Sequence, residues 1–451
     1  MADVKLDDIV SLAKRRGFIF PGSDVYGGLS GTWDYGPLGV ALKRNMMNLW
    51  WQMFVLERDD VYGVDAAILM NQKVWQASGH VDTFTDPLVE CGNCKGRFRA
   101  DKLADTAEGC VMVEDESEGY NQLQGTLGLV KCPTCGKIEW GEVRDFNMMF
   151  KTHVGPIHDE NSVSYLRPET AQGIFTNYKN VVDVFYPDLP FGIAQQGKAF
   201  RNEISPRDFI FRDRELEQME VEYFVHPDKW EEAFEHWVGQ CKKWFDALGL
   251  PADMIHELEV PEDDRAHYSK RTIDFEFDFP IGREELMGLA YRTDFDLKNI
   301  HDNSGKTMEY TIKGTTERFI PHVIEPSFGV ERALMAVLTS AYREDELNGE
   351  KRVYLAFPDH LAPVLYAVSP LLKNKPELVA KAREVYKALQ AKHPGRVMWD
   401  DNGNIGKRYR RQDEIGTPHC VVIDFDTLED DTVTVRERDT AEQQRVSIKE
   451  V

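Results

Sequence analysis

Leu216-Glu217-Gln218-Met219-Glu220-Val221-Glu222-Tyr223-Phe224-Val225 is the stretch whose reading decides the fold. Met219, Val221 and Tyr223 oppose Glu220, Glu222 and Phe224 with a period of two, which puts successive side chains on opposite faces of a half-buried strand. Just before it, Gly192 to Ala199 reads as a second strand, and Arg201 to Arg214 as a charged loop between the two. Just after it, Trp230, Phe234, Trp237, Val238, Cys241, Trp244 and Leu248 fall at helical spacing, which predicts an amphipathic helix. Ile273, Phe275, Phe277 and Phe279 alternate with acids as a further half-buried strand. Strands grouped around 190–300 with helices outside them predict an antiparallel sheet, an α+β plan.

The flanks differ in style. Pro37 to Leu56 has apolar spacing suited to a long helix within an aromatic- and glycine-rich stretch, about 5–85. From 86 to 145 the chain turns polar, with an acidic run near Glu114 to Glu118; so few apolar residues need a staple in place of a core. Beyond 350, a strand at Val364 to Val368 leads to a helix at Pro376 to Lys392, with Leu378, Ala382, Val385 and Leu389 on one face. A strand at Val397 to Trp399, a helix at Ile405 to Glu414 and a strand at Cys420 to Phe425 complete a separate small α/β domain.

Composition sets outer bounds. At roughly 150 residues per domain, 451 residues predict about three domains. Acids outnumber bases 77 to 54, a formal charge of −23, so any polyanion must be met by a local basic patch and not by bulk charge. Mean hydropathy is −0.45, and no run approaches the ~20 apolar residues of a membrane helix. The first residues are acidic where a secretory signal is basic, so the expectation is a soluble, cytoplasmic protein without a membrane partner.

Four of seven cysteines are grouped as Cys91-Gly92-Asn93-Cys94 and Cys132-Pro133-Thr134-Cys135; Cys110, Cys241 and Cys420 stand alone. Two Cys-x2-Cys turns offer four thiolates to one tetrahedral ion, the ligand set of structural zinc. Four unrelated thiols, or a dithiol redox site, are the competing readings; the occurrence of two pairs disfavours both. The loop Phe200-Arg201-Asn202-Glu203-Ile204-Ser205-Pro206-Arg207 opens a segment with four arginines, Arg201, Arg207, Arg212 and Arg214. Its bland reading is a solvated hairpin. Arg201, however, follows directly on an apolar strand, where a guanidinium is costly without a carboxylate or phosphate to hold.

These segments resemble a known family. Gly31-Thr32-Trp33-Asp34-Tyr35-Gly36-Pro37-Leu38-Gly39 with its helix looks like motif 1 of the class II aminoacyl-tRNA synthetases, Phe200 to Arg207 like motif 2, and Gly329-Val330-Glu331-Arg332 like motif 3. Arg167-Pro168-Glu169-Thr170-Ala171-Gln172-Gly173 and Glu325-Pro326-Ser327-Phe328-Gly329 are similar to segments of the homodimeric glycyl-tRNA synthetases in particular. The likeness runs from about residue 8 to 448, with five motifs in order. It implies a class II antiparallel sheet flanked by helices, and this division: 1–85 as the N-terminal part of the catalytic domain with motif 1, 86–145 as a zinc-knuckle insertion, 146–345 as the catalytic core, and 350–451 as an anticodon-binding domain.

The resemblance also implies a reaction: ATP-dependent activation of glycine and its transfer to the 3′ end of tRNA. Positioning and cationic stabilisation would dominate over proton transfer. Arg201 and Arg332 would be the catalytic arginines. Arg201, Asn202, Glu203, Phe211, Arg212, Leu216, Glu285, Leu286, Gly329 and Arg332 would hold ATP. Glu169, Glu220, Glu325 and Ser327 would hold glycine, with Arg99 reaching in from the insert. Magnesium would accompany the nucleotide, with Glu285 and Glu325 as candidate contacts. Lys407, Arg408, Arg410 and Arg411, the densest basic cluster, would meet the tRNA anticodon; a solvated helix face is the alternative. Motif 1 would build a homodimer, with Trp50, Trp51, Met53 and Phe54 buried between chains. Competing functions are a class II ligase of the threonine or proline type, a non-catalytic tRNA-binding relative, and a bare zinc-ribbon nucleic-acid module.

Overall fold

The computed structural model describes residues 4–106, 123–266, 268–347 and 349–451, so the acidic run at Glu114 to Glu118 and Cys110 lie outside the described residues. The central sheet has seven strands: β1 (Val61–Gly63), β2 (Phe191–Phe200), β3 (Glu215–Val225), β4 (Ile255–Glu259), β5 (Arg271–Phe279), β6 (Gly282–Thr293) and β7 (His322–Gly329). Their order is β4-β5-β6-β7-β3-β2-β1, antiparallel throughout except for the short edge strand β1, which runs parallel to β2. The helices that matter here are α1 (Leu6–Arg16), α2 (Pro37–Trp51), α3 (Ala171–Phe185), α4 (Trp230–Leu248), α5 (Phe295–Ser304) and α6 (Val330–Ala341).

Each face of the sheet has its own core. Met219, Val221 and Tyr223 pack with α2, α4 and α6, while Phe224 and Ile193 pack with Phe175 and Tyr178 of α3. This corrects the expectation of a half-buried β3. Every residue from Gln218 to Val225 is buried, and the acids of the alternation, Glu220 and Glu222, face inward beneath α3. A second correction concerns motif 1. Trp50 lies edge-on to Phe328 at 5.8 Å, and Phe54 lies 5.3 Å from Phe328 and stacks on Trp237 at 5.8 Å. Both are fully buried inside this chain and so leave no surface for a partner; Trp51 and Met53 are only partly covered. Burial of each such ring contributes about 1.5–3 kcal/mol.

The C-terminal sheet comprises β8 (Tyr366–Pro370), β9 (Val397–Trp399), β10 (His419–Ile423), β11 (Thr432–Glu437) and β12 (Gln443–Ser447), ordered β9-β8-β10-β11-β12. Its first three strands are parallel and the rest antiparallel. Helix α7 (Pro376–Lys392) lays Leu378, Ala382, Val385 and Leu389 on Val368, Val421 and Ile423, and α8 (Ile405–Glu414) follows β9. Strand ends sit one or two residues from the expected ones. The segment after residue 85 forms a three-stranded antiparallel sheet, Thr85–Glu90, Arg97–Arg99 and Arg144–Asn147, over a small core that among the described residues comprises Val89, Ala100, Leu103, Leu127 and Val143. Among the described residues no helix is long and apolar enough to cross a membrane.

Candidate active site

A cleft of about 440 Å³ opens over β3, β6 and β7, roofed by the loop between β2 and β3. The register sets Glu220 opposite Ser327 and Gln218 opposite Gly329, which brings two of the residues expected at glycine, Glu220 and Ser327, together on neighbouring strands. Acids line one end and arginines the other.

At the acidic end Glu169, Glu220, Glu325 and Ser327 all border the cleft. Four donors immobilise Glu220: the Thr170 main-chain N–H at 3.1 Å, the Thr170 hydroxyl, the Ser327 hydroxyl at 2.6 Å and the Gln218 amide at 3.0 Å. Burial and the neighbouring Glu169 carboxylate still raise its pKa, an effect the two hydroxyls partly offset. Glu169 goes the other way. Burial pushes it up, but His80, 3.3 Å away, together with Arg292 and Arg201, outweighs this and holds it at about 2.

Arg292 is the residue that sequence reasoning missed. It is 1% exposed, and its Nη1 donates to both oxygens of Glu325 at 2.9 and 3.0 Å. Nε and Nη2 donate to Asp296 at 2.7 and 2.9 Å, and the guanidinium lies 3.8 Å above the Tyr268 ring. Burial opposes its charge, yet Asp296 and Glu325 hold its pKa well above the ordinary arginine value. The signal was the one that flagged Arg201, an arginine inside an apolar strand (Leu289-Ala290-Tyr291-Arg292).

At the basic end Arg201 and Arg212 line the cleft. Arg201 is half-buried and donates from Nε to the Pro168 carbonyl at 3.1 Å; among the described residues neither it nor Arg212 enters an ion pair. A half-buried guanidinium without a counter-ion is a ready anion site. Arg332 lies 4.7 Å over the Phe211 ring and is tied to Glu285, by a 2.9 Å ion pair and a 3.0 Å bond to its carbonyl. Phe211, Leu216, Leu286 and Gly329 add flat or small surface suited to a base, and Glu203 and Asp213 add carboxyls. Burial, then Glu331, pushes Asp213 up to about 8. Arg99 reaches the cleft from the insert but is held by Asp86 at 2.9 Å and by Asp101 at 2.7 and 3.2 Å. Asn202 is not among the lining residues; its main-chain N–H donates to the Met148 carbonyl at 2.7 Å.

The four paired cysteines converge, with all sulfurs within 4.8 Å of one another and no disulfide among them. Cys91 and Cys135 sulfurs are 3.7 Å apart and those of Cys94 and Cys132 3.6 Å. A tetrahedron with bonds of about 2.3 Å has edges of about 3.8 Å, so the cluster could hold a metal ion without rearrangement.

The basic cluster on α8 divides. Lys407 is exposed, Arg410 bonds to the Lys351 carbonyl and Glu350, and Arg411 grips Asp400 with two bonds at 2.6 and 3.0 Å. Arg408 overturns the expectation of a tRNA contact. It is 3% exposed and donates to the carbonyls of Pro370, Gly403 and Asp401, holding the loop before its own helix.

Residues 150–341 match the family model "tRNA synthetase class II core domain (G, H, P, S and T)", and residues 366–451 match "Anticodon binding domain". The glycine–tRNA ligase of Bifidobacterium longum is 49% identical, an alignment that covers 100% of this chain and 92% of that protein. The glycine–tRNA ligase of Thermobifida fusca is 50% identical, covering 99% and 96%. Among solved structures, Giardia lamblia prolyl-tRNA synthetase in complex with prolyl-adenylate matches with a TM-score of 0.68 at 14% identity, covering 99% of this chain and 75% of that one.

Proposed function

The chain belongs to the glycine–tRNA ligases of the class II synthetases, and from that premise we propose how its cleft activates glycine with ATP and passes the glycyl group to the 3′ end of tRNA. The observation that carries the reading is the polarity of one cleft, with an immobilised acid wall and two arginines that enter no ion pair among the described residues.

Glycine is a zwitterion without a side chain. Its ammonium fits the pit of Glu169, Glu220 and Glu325 with the Ser327 hydroxyl, which turns its carboxylate toward Arg201. A carboxylate oxygen then attacks the α-phosphorus of ATP, pyrophosphate leaves, and glycyl-adenylate remains. Arg201 and Arg212 offset the charge that builds on the reacting phosphate, and Arg332 meets the far end of the phosphate chain beside the base platform of Phe211. In the second step a terminal ribose hydroxyl of the tRNA attacks the glycyl carbonyl and AMP leaves. Because four hydrogen bonds fix Glu220, the wall cannot step aside for a methyl group, which supports glycine over the threonine or proline reading.

Zinc is the ion that the four thiolates fit best, and its role would be to hold the 86–145 insert folded. Magnesium would accompany ATP. Glu325 is committed to Arg292 through both oxygens, whereas Glu285 pairs with Arg332 through one oxygen, so that its other oxygen and those of Asp274, which also borders the cleft, are hard donors. We assign 1–85 and 146–345 to the catalytic domain and 350–451 to anticodon binding, with Lys407, Arg410 and Arg411 as the tRNA-facing cations. A homodimer through motif 1 would use surface other than Trp50 and Phe54.

The test is amino-acid-dependent ATP–pyrophosphate exchange. Glycine is expected to support exchange, alanine and serine to fail, and Arg201→Ala to abolish it in a folded protein. Exchange with alanine equal to that with glycine, or near-wild-type exchange by Arg201→Ala, would refute the assignment.

A further inference from the structure

Glu222 has no part in the contacts described so far. It is 0% exposed, and among the described residues it is the only carboxyl with both oxygens buried and without a hydrogen-bond partner. It follows Glu220 by two positions on β3, so both carboxyls point to the same face. The register that sets Glu220 opposite Ser327 and Tyr223 opposite Ile324 brings Glu222 beside Glu325 on β7. On the β2 side its neighbour is Ile193, and Gln195, fully buried opposite Glu220, has neither amide atom bonded. From β6 and α5 come Arg292 and Asp296, but Arg292 spends its hydrogen bonds on Asp296 and Glu325. Glu222 therefore sits one layer beneath the acid pit, close to Glu325, Glu220, Asp296 and Arg292, with no donor of its own.

An ionised carboxylate in such a place loses its hydration and gains no hydrogen bond, so the neutral form is favoured. Burial, then the Glu325 charge, push Glu222 well above the ordinary carboxylate range. Bringing an ammonium into this low-dielectric pit adds a unit of positive charge, which is costly unless something compensates. We propose that Glu222 is a positioning residue of the amino-acid pocket, protonated in the free protein, that releases its proton as the glycine ammonium enters. The Glu222 O–H bond breaks, its electron pair stays on the carboxylate, and the proton leaves through the cleft that Glu325 borders. Glycine keeps all three ammonium protons, and the net charge of the pit is unchanged. The inference rests on the reading of this pocket as the glycine site.

Titration calorimetry of the full chain with glycine at pH 7, in PIPES and in MOPS, counts the protons exchanged. The expected result is release of between half a proton and one proton, about what one titrating group supplies. Glycolate, which has a hydroxyl in place of the ammonium, is expected to release none. Glu222→Gln mimics the neutral form and is expected to bind glycine with heats that do not depend on the buffer. As a check that needs no variant, wild-type glycine affinity should tighten from pH 6 to pH 8, by up to about tenfold per unit. Buffer-independent heats in the wild type, or proton release that persists in Glu222→Gln, would overturn the proposal while leaving the pocket assignment intact. Absence of both glycine binding and glycine-dependent exchange would instead refute the pocket itself.

Discussion

Replacing Arg292 by leucine removes a guanidinium that is 1% exposed and bonded to two carboxylates. Leucine fills part of the same volume, so the main effect is electrostatic. Asp296 keeps only the Gln172 amide at 2.8 Å, and Glu325 loses a donor to both of its oxygens. Removing one partner of a buried ion pair costs about 3–5 kcal/mol, because the charge left behind has neither water nor a counter-ion. For a unit the size of this catalytic core, about 2–4 °C of melting temperature accompanies each kcal/mol, so a fall of about 6–20 °C is expected by differential scanning fluorimetry. The reasoning also predicts non-additivity. Arg292→Leu combined with Asp296→Leu should be less destabilised than the sum of the two single variants, since the pair removes the stranded charge along with its cause. Arg292→Leu melting within about 1 °C of wild type would refute the argument, and so would strict additivity in the double variant.

Two further expectations follow from the same coordinates. Metal analysis after purification without chelators should find about one zinc per chain; Cys94→Ser or Cys135→Ser should lose it and open the 86–145 segment to protease, and a metal-free wild type would remove the claim. Asp213 titrates near 8 in the folded chain and near its ordinary carboxylate value when unfolded, so its contribution to stability is complete below about pH 4 and is lost as pH rises toward 8. Asp213→Asn, which keeps an oxygen for the Trp33 N–H, should therefore gain stability over wild type between pH 5 and pH 8, by at most about 1.4 kcal/mol per unit; a pH-independent difference would contradict it.

The fold was legible where periodicity reports burial. The alternation in β3 and β5 and the helical spacing in α4 and α7 each reflect one apolar face per element, and those elements stand at or near their expected bounds. The same logic misread β3 as half-exposed, because period two in charge is identical for a solvated strand and for one whose acids line a buried pit. It misread Trp50 and Phe54 for a related reason: apolar spacing says that a face is covered, and never whether the cover is the same chain. Most of the candidate site was legible as well, since Arg201, Glu220, Ser327 and Arg332 lie in short segments of distinctive order. Arg292 was not. Its partners Asp296 and Glu325 come from α5 and β7, and only the folded register makes it the counter-ion of the pit.

That counter-ion explains how a chain with 77 acidic residues can keep so many carboxyls under one sheet face. Glu325 and Asp296 share Arg292 and Glu169 lies 3.3 Å from His80, while Glu220 is held by four neutral donors and Glu222 by none. The pit thus holds more carboxyls than cations before any ligand arrives, and its oxygens are already oriented. Arg201 and Arg212 are the reverse case, cations of the same cleft that enter no ion pair among the described residues. A ligand with an ammonium at one end and a carboxylate next to a phosphate at the other would satisfy both ends at once. A ligand with either charge alone would leave one end uncompensated, and the separation of roles along the cleft is what makes the shortest zwitterion the best fit.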